Sequence, residues 1–231
     1  MLLVTHKNQR EGFLEEYGFG SQGSVVCFPR DSQPALLKPQ VIPDLFDYSK
    51  ARHWVDSCRE NHRPVCDGKP VSSVISGLKL IDSETLCVKA AEPGMQWVTL
   101  SYVWDPQSAG IFAQVSDQLP SDLSACVKDA LEVTANLGYR YLWVDKYCIN
   151  QRDGQELDDQ IHKMDLIYNN AELTIVAAAG PDETYGLPGI GSSKRLRQHA
   201  VELNDTTVIS TGPDPATYVE QISRWWKRGW T

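Results

Sequence analysis

The chain has 231 residues, with 22 Lys and Arg against 30 Asp and Glu, giving a formal net charge of −8. At 42% hydrophobic and 23% charged, it has ample material for a buried core and is unlike a disordered chain. The acidic balance argues against broad binding to nucleic acid or anionic lipid, since both need a basic face.

The first forty-odd residues carry scattered Gly, Ser and Pro with no sustained period and read as irregular. From Asp47, residues Ala51, Trp54, Val55, Cys58 and His62 recur at helical spacing until Pro64 closes the segment. Asp67 to Ser73 reads as a linker, which places a boundary near residue 75 between an irregular, helical N-terminal region (1–75) and a main domain (76–231). Leu78 to Ile81 and Leu86 to Val88 flank a turn and predict a hairpin.

Trp97 to Trp104 is β-branched and aromatic, bounded by Pro93-Gly94 and Asp105-Pro106, and predicts a strand. Ser121 is the expected N-cap of a helix whose apolar face runs from Leu123 to Leu137, with Gly138 just past its end. Tyr141 to Val144 predicts a buried strand ending at Asp145. One helix follows, with Leu157, Ile161, Met164 and Tyr168 on its apolar face. A third strand, Leu173 to Ala179, is then stopped by Gly180-Pro181. From Leu187 to Pro215 the chain reads mostly as loop with a strand around Val208, and Tyr218 to Trp226 suggests a last helix.

Strand, helix, strand, helix, strand predicts an α/β fold with a parallel sheet, flanking helices and right-handed crossovers. In such sheets ligands bind outside the carboxyl ends of the strands. That places Asp105, the run from Asp145 to Gln151, and Gly180 to Gly191 on one rim.

Several motifs suggest chemistry and are weakened by context. Gly18 to Val25 matches a phosphate-binding glycine pattern, yet no substantial strand precedes it and Phe28-Pro29 blocks the helix such a loop needs. His53, Cys58, His62 and Cys66 include zinc-ligand types, with Cys58 and His62 on one helix face and Cys66 beyond. Their spacing is not that of a standard finger, and a buried thiol with a helix-terminal imidazole is the commoner explanation. Cys148 sits at a strand end where a reactive thiol could lie, but no His is near it in sequence, so a cysteine hydrolase needs unseen proximity. The six cysteines form no tight framework, which fits reduced thiols in a cytoplasmic protein. The N-terminus lacks the apolar core of a signal peptide, and no run reaches the ~18 apolar residues of a membrane span.

The motifs in order resemble the fungal heterokaryon incompatibility (HET) domain. They are Leu100-Ser101-Tyr102-Val103-Trp104, then Leu137 to Asp145, Cys148-Ile149-Asn150-Gln151, Met164 to Ala171, Gly186-Leu187-Pro188-Gly189 and Arg228-Gly229-Trp230-Thr231. The resemblance covers about Trp97 to the end. It implies a fold like that of Toll/interleukin-receptor (TIR) domains, with their flavodoxin-like strand order. It also implies a role in non-self recognition leading to programmed cell death, through self-association and contact with other signalling domains. The second implied activity is cleavage of NAD at the nicotinamide–ribose bond, with NAD as substrate and no resident cofactor. The implied ligand rim is Ser101, Tyr102, Trp104, Asp105, Asp145, Cys148, Asn150, Gln151, Arg228 and Trp230. Two positions depart from the family pattern: Asp105 stands where Gly is usual, and Lys146-Tyr147 where a small residue and Leu are usual. The family continues past Arg-Gly-Trp-Thr with a helix carrying Gln-Glu. The expectation is therefore a domain cut inside a motif, with the catalytic Glu beyond Thr231 and this fragment inactive.

Overall fold

The computed structural model describes residues 25–29, 41–61, 75–107, 117–195, 197–211, 219–220 and 223–228. Its elements begin with β1 (Val25–Pro29), α1 (Tyr48–Asn61), β2 (Lys79–Asp82), β3 (Cys87–Ala90), β4 (Trp97–Ser101) and α2 (Ala125–Asn136). They continue with β5 (Tyr141–Trp143), α3 (Asp145–Cys148), α4 (Gly154–Ile161), α5 (Met164–Asn169), β6 (Leu173–Val176), β7 (Ala200–Leu203) and β8 (Thr206–Ser210).

Among the described residues, five strands form one sheet in the order β3-β2-β5-β4-β6. β4 pairs in parallel with both β5 and β6, as the alternation of strands and helices predicts. The sheet is nevertheless mixed, which corrects the expectation of a parallel one. The predicted hairpin forms, but β2 also adds antiparallel to β5. Leu80 and Ile81 are fully buried there, so the hairpin completes the core. The outer side of β3 is covered in turn by 117–119, through Val88 N–H to Asp117 C=O at 2.7 Å.

α2 lays Cys126, Val127, Ala130, Leu131 and Val133 on β4 and β5. Ser124, not Ser121, is its N-cap, while Leu123 is buried ahead of the first turn. Gly138 follows the helix at φ +88°, where a C′ residue needs the left-handed region. The core behind the sheet holds Trp143, which meets Tyr168 edge-on at 5.4 Å between ring centroids.

Three further expectations change. The single helix expected through Leu157 to Tyr168 is two, α4 and α5, because Gln160 turns inward and donates to the Ser76 carbonyl at 3.1 Å. The break places Ile167 in the core. The irregular N-terminal stretch contains β1, which pairs antiparallel with β8 in a second sheet, β1-β8-β7. Local pattern gives no sign of this, since the partner lies near the other end of the chain. α1 forms as expected but buries none of its residues, and Trp54 is 56% exposed. It docks through polar contacts instead: Arg59 pairs with Glu172 and donates to Tyr139, and Arg52 donates to the Asn136 carbonyl. In the expected last helix, 219–220 are helical and 224–227 form a turn. The glycine motif before Val25, the 67–73 linker, His62, Cys66 and Trp230 lie outside the described residues.

Candidate functional site

The carboxyl ends of β4, β5 and β6 meet at one rim, and parallel pairing alone brings this about. From β4 come Ser101, Tyr102, Trp104 and Asp105; from β5 come Asp145 and Lys146; from the loop after β6 comes Glu183. The segment Ser223 to Arg228 folds back over them.

Two carboxyls organise the rim. Asp145 Oδ1 accepts from the Trp104 indole at 3.1 Å and from the Lys146 main-chain N–H at 2.7 Å. Burial pushes its carboxyl up to about 6, held back by these bonds and by the Arg228 charge. Glu183 is nearly sealed, with its side chain 2% exposed, and Oε1 accepts from Lys146 Nζ at 2.8 Å and from the Asp105 N–H at 3.2 Å. The two departures from the family pattern, Asp105 and Lys146, thus converge on one carboxylate. The Asp105 side chain serves its own loop, accepting from Gln107 N–H at 2.9 Å.

Arg228 closes the other side. Its guanidinium donates to Ser101 Oγ at 2.9 Å and to the Tyr102 carbonyl, and lies 5.6 Å from the Trp225 ring centre. Trp225 donates its indole N–H to the same Ser101 Oγ at 2.8 Å. Tyr102 points into the core, where burial and the nearby Asp145 and Glu183 hold its phenol well above the usual range.

Of the expected rim residues, Ser101, Trp104, Asp105, Asp145 and Arg228 therefore come together, and Tyr102 contributes its main-chain carbonyl but not its buried ring. Gln151 supports them from behind, donating to the Asp145 carbonyl at 3.0 Å. Asn150 lies beside it and caps a turn, accepting from Arg152 N–H at 3.2 Å. Cys148 is not on the rim. It is 1% exposed, its sulfur accepts from Val144 N–H at 3.4 Å, and burial pushes the thiol up to about 12. Such a thiol is not a nucleophile at neutral pH, and His162 sits exposed at the end of α4. Iodoacetamide should leave Cys148 unmodified in the native protein and label it after denaturation, as peptide mass spectrometry would read. Native labelling at the denatured rate would mean the strand end is open.

Glu183 and Trp225 are the rim residues that sequence reasoning missed. Glu183 falls within the Gly180 to Gly191 stretch assigned to the rim, but Asp182-Glu183 reads there as an ordinary turn. Of the zinc candidates, Cys58 is described and half-buried on α1. No group of three or more metal-ligating side chains occurs among the described residues. No helix among them is long and apolar enough to cross a membrane.

Chemically, a carboxyl held near 6 can give or take a proton near neutrality. It also has a stability signature. The folded state holds the Asp145 proton up to about pH 6, against 3.8 for an ordinary Asp. Folding stability from this group is therefore greatest at low pH and is lost as pH rises between those values. Asp82, lowered by Arg140, acts oppositely and below pH 4. Asp145→Asn should flatten the fall between pH 4 and 6, measured as urea midpoints of the two proteins. Identical pH profiles would place Asp145 in solvent.

A sequence-family model described as heterokaryon incompatibility protein (HET) matches residues 97–231. The chain is also similar to heterokaryon incompatibility protein 6, OR allele, of Neurospora crassa, at 30% identity over 109 residues. That match takes in 39% of this chain and 15% of the relative, so the chain spans a small part of that protein's length. No solved structure matches. The family match begins at Trp97, the first residue of β4, and takes in every element that builds the rim. The chain belongs to the heterokaryon incompatibility (HET) family.

Proposed function

We propose that this chain serves fungal non-self recognition leading to programmed cell death, and that its HET domain does so in the cytoplasm as a signalling module that self-associates. Residues 76–231 are the domain in this reading, and 1–75 a region attached to it. The observation that carries it is the state of the rim. Ser101 Oγ, Asp145 Oδ1 and Glu183 Oε1 are all bonded to neighbours within the domain, so the rim serves as an internal clasp. Outer strands of both sheets, β6 and β7, meanwhile carry exposed apolar side chains, including Val176, Val201 and Leu203. Sedimentation velocity at rising protein concentration tests the reading. A growing sedimentation coefficient is expected, and a monomer throughout would overturn it.

A second reading, TIR-like cleavage of NAD, draws support from two features. The parallel strands run second-first-third in chain order, and Asp145 stands at their carboxyl ends with a carboxyl near 6. A carboxylate there could stabilise an oxocarbenium-like transition state. Release of nicotinamide from NAD by the wild type, lost in Asp145→Asn, would favour it over the signalling module. No release would leave the module standing.

A further inference from the structure

We infer that Glu172, Tyr139 and the cavity beside them form a site for the arginine side chain of a partner peptide, and that Arg59 of α1 fills it in this structure. The site lies at the amino ends of the parallel strands, opposite the rim, and does not depend on the self-association reading. Met95-Gln96 precede β4, Gly138 to Arg140 precede β5, and Glu172 precedes β6. Around these ends is a cavity of about 440 Å³ whose lining includes Glu92, Met95, Gln96, Tyr139, Arg140 and Tyr141. That volume is within the range of small-ligand sites.

The carboxylate is set in advance. Glu172 N–H donates to the Trp97 carbonyl at 2.9 Å and its Oε1 accepts from Gln96 Nε2 at 2.7 Å, while Oε2 takes Arg59. The same Arg59 nitrogen donates to the Tyr139 hydroxyl at 2.8 Å, and the guanidinium carbon lies 5.8 Å from the centre of that ring. Carboxylate, phenol and aromatic face together suit a planar, delocalised cation better than an ammonium.

Arg59 is a loose occupant of this arrangement. α1 buries none of its residues, and the Arg59 side chain is 44% exposed. An ion pair so exposed is weak and is screened by salt. The chain just ahead of the helix is held more firmly. Phe46 packs on the core, and its N–H donates to the Gly189 carbonyl at 2.9 Å. The far end of α1 can therefore lift while its base stays in place. Charge then draws a replacement. Asp82, Glu84, Glu92 and Glu172 lie in or against the cavity lining, and with Arg59 away Lys89 and Arg140 oppose them there. The vacated site holds an excess of negative charge, and Met95 gives its lining an adaptable apolar patch for the residues beside the arginine.

Fluorescence anisotropy tests this on the full chain, with a labelled Gly-Ser-Arg-Ser-Gly peptide. A control peptide carries citrulline, an uncharged isostere, in place of arginine. Arg59→Ala removes the occupant and should bind the arginine peptide about tenfold more tightly than wild type, as when the competent state rises from about one in ten to all. Adding Glu172→Gln should abolish that binding, and the citrulline peptide should bind neither protein. Both side chains are partly exposed, and circular dichroism checks that the variants fold. Equal binding to wild type and Arg59→Ala, no binding to Arg59→Ala, or binding that survives Glu172→Gln would overturn the site. Unlabelled N-acetylarginine amide that competes as well as the peptide would overturn a peptide partner, the guanidinium alone then being what is bound.

Discussion

Glu183→Ala should destabilise the domain by about 3–5 kcal/mol, the scale for removing one partner of a buried ion pair. The pair qualifies as buried: the Lys146 side chain is 11% exposed and that of Glu183 is 2%. Removing the carboxylate takes the ion-pair partner from the Lys146 ammonium and an acceptor from the Asp105 N–H. The main-chain bond from Cys126 N–H to the Glu183 carbonyl, 3.0 Å, survives in the variant, so the loss isolates the side chain. Lys146→Met should cost a similar amount, because it leaves the carboxylate buried. The double variant Lys146→Met with Glu183→Leu should be more stable than either single one, since no charge is then left alone. Urea unfolding of the wild type and the three variants reads these differences. Single variants within about 1 kcal/mol of wild type, the usual range of exposed pairs, would show that water reaches the rim.

That pair also marks the limit of what the residues reveal in order. The three parallel strands were legible because Trp97 to Ser101, Tyr141 to Val144 and Leu173 to Val176 are apolar runs bounded by turn signals. The hairpin was legible for the same reason. Its attachment to β5 was not, since a strand's choice of neighbour depends on which core it completes. The break between α4 and α5 was hidden because Gln160 looks like a surface residue until Ser76 offers its carbonyl. The rim's position followed from parallel topology, and with it Ser101, Asp145 and Asp105. Glu183 did not follow. A carboxylate one residue into a turn looks solvated, and only the approach of Lys146 from another strand end identifies it. Cys148 was misplaced by a subtler effect. The one-turn helix α3 returns its side chain toward the core side of β5, so a residue near the strand's end is not on the rim.

Gly186→Ala should be among the most damaging single changes in the chain, at about 3 kcal/mol or more, and the loop it belongs to explains why. Gly186 opens the Gly-Leu-Pro-Gly motif and sits at φ +77°, which alone costs a residue with a Cβ about 1–2 kcal/mol. A Cβ there would also lie 2.2 Å from Ser193 Oγ and 2.6 Å from Asp129 Oδ2. Neither atom is free to retreat. Asp129 is a buried carboxylate on α2 that accepts from Leu187 N–H at 2.7 Å and from Ser193 Oγ at 3.0 Å, pinning the loop to the helix. Displacing it leaves the buried Leu187 N–H unsatisfied, worth a further ~1–3 kcal/mol. Gly94 provides the comparison, with φ +85° and nothing within 4 Å of the site of a Cβ. Gly94→Ala should therefore cost only the conformational part. Adding Ser193→Ala to Gly186→Ala removes the nearer obstacle and should recover part of the loss, making the pair non-additive in urea unfolding. Equal costs at Gly186 and Gly94 would mean that the Asp129 clasp yields, and that this glycine answers to backbone conformation alone.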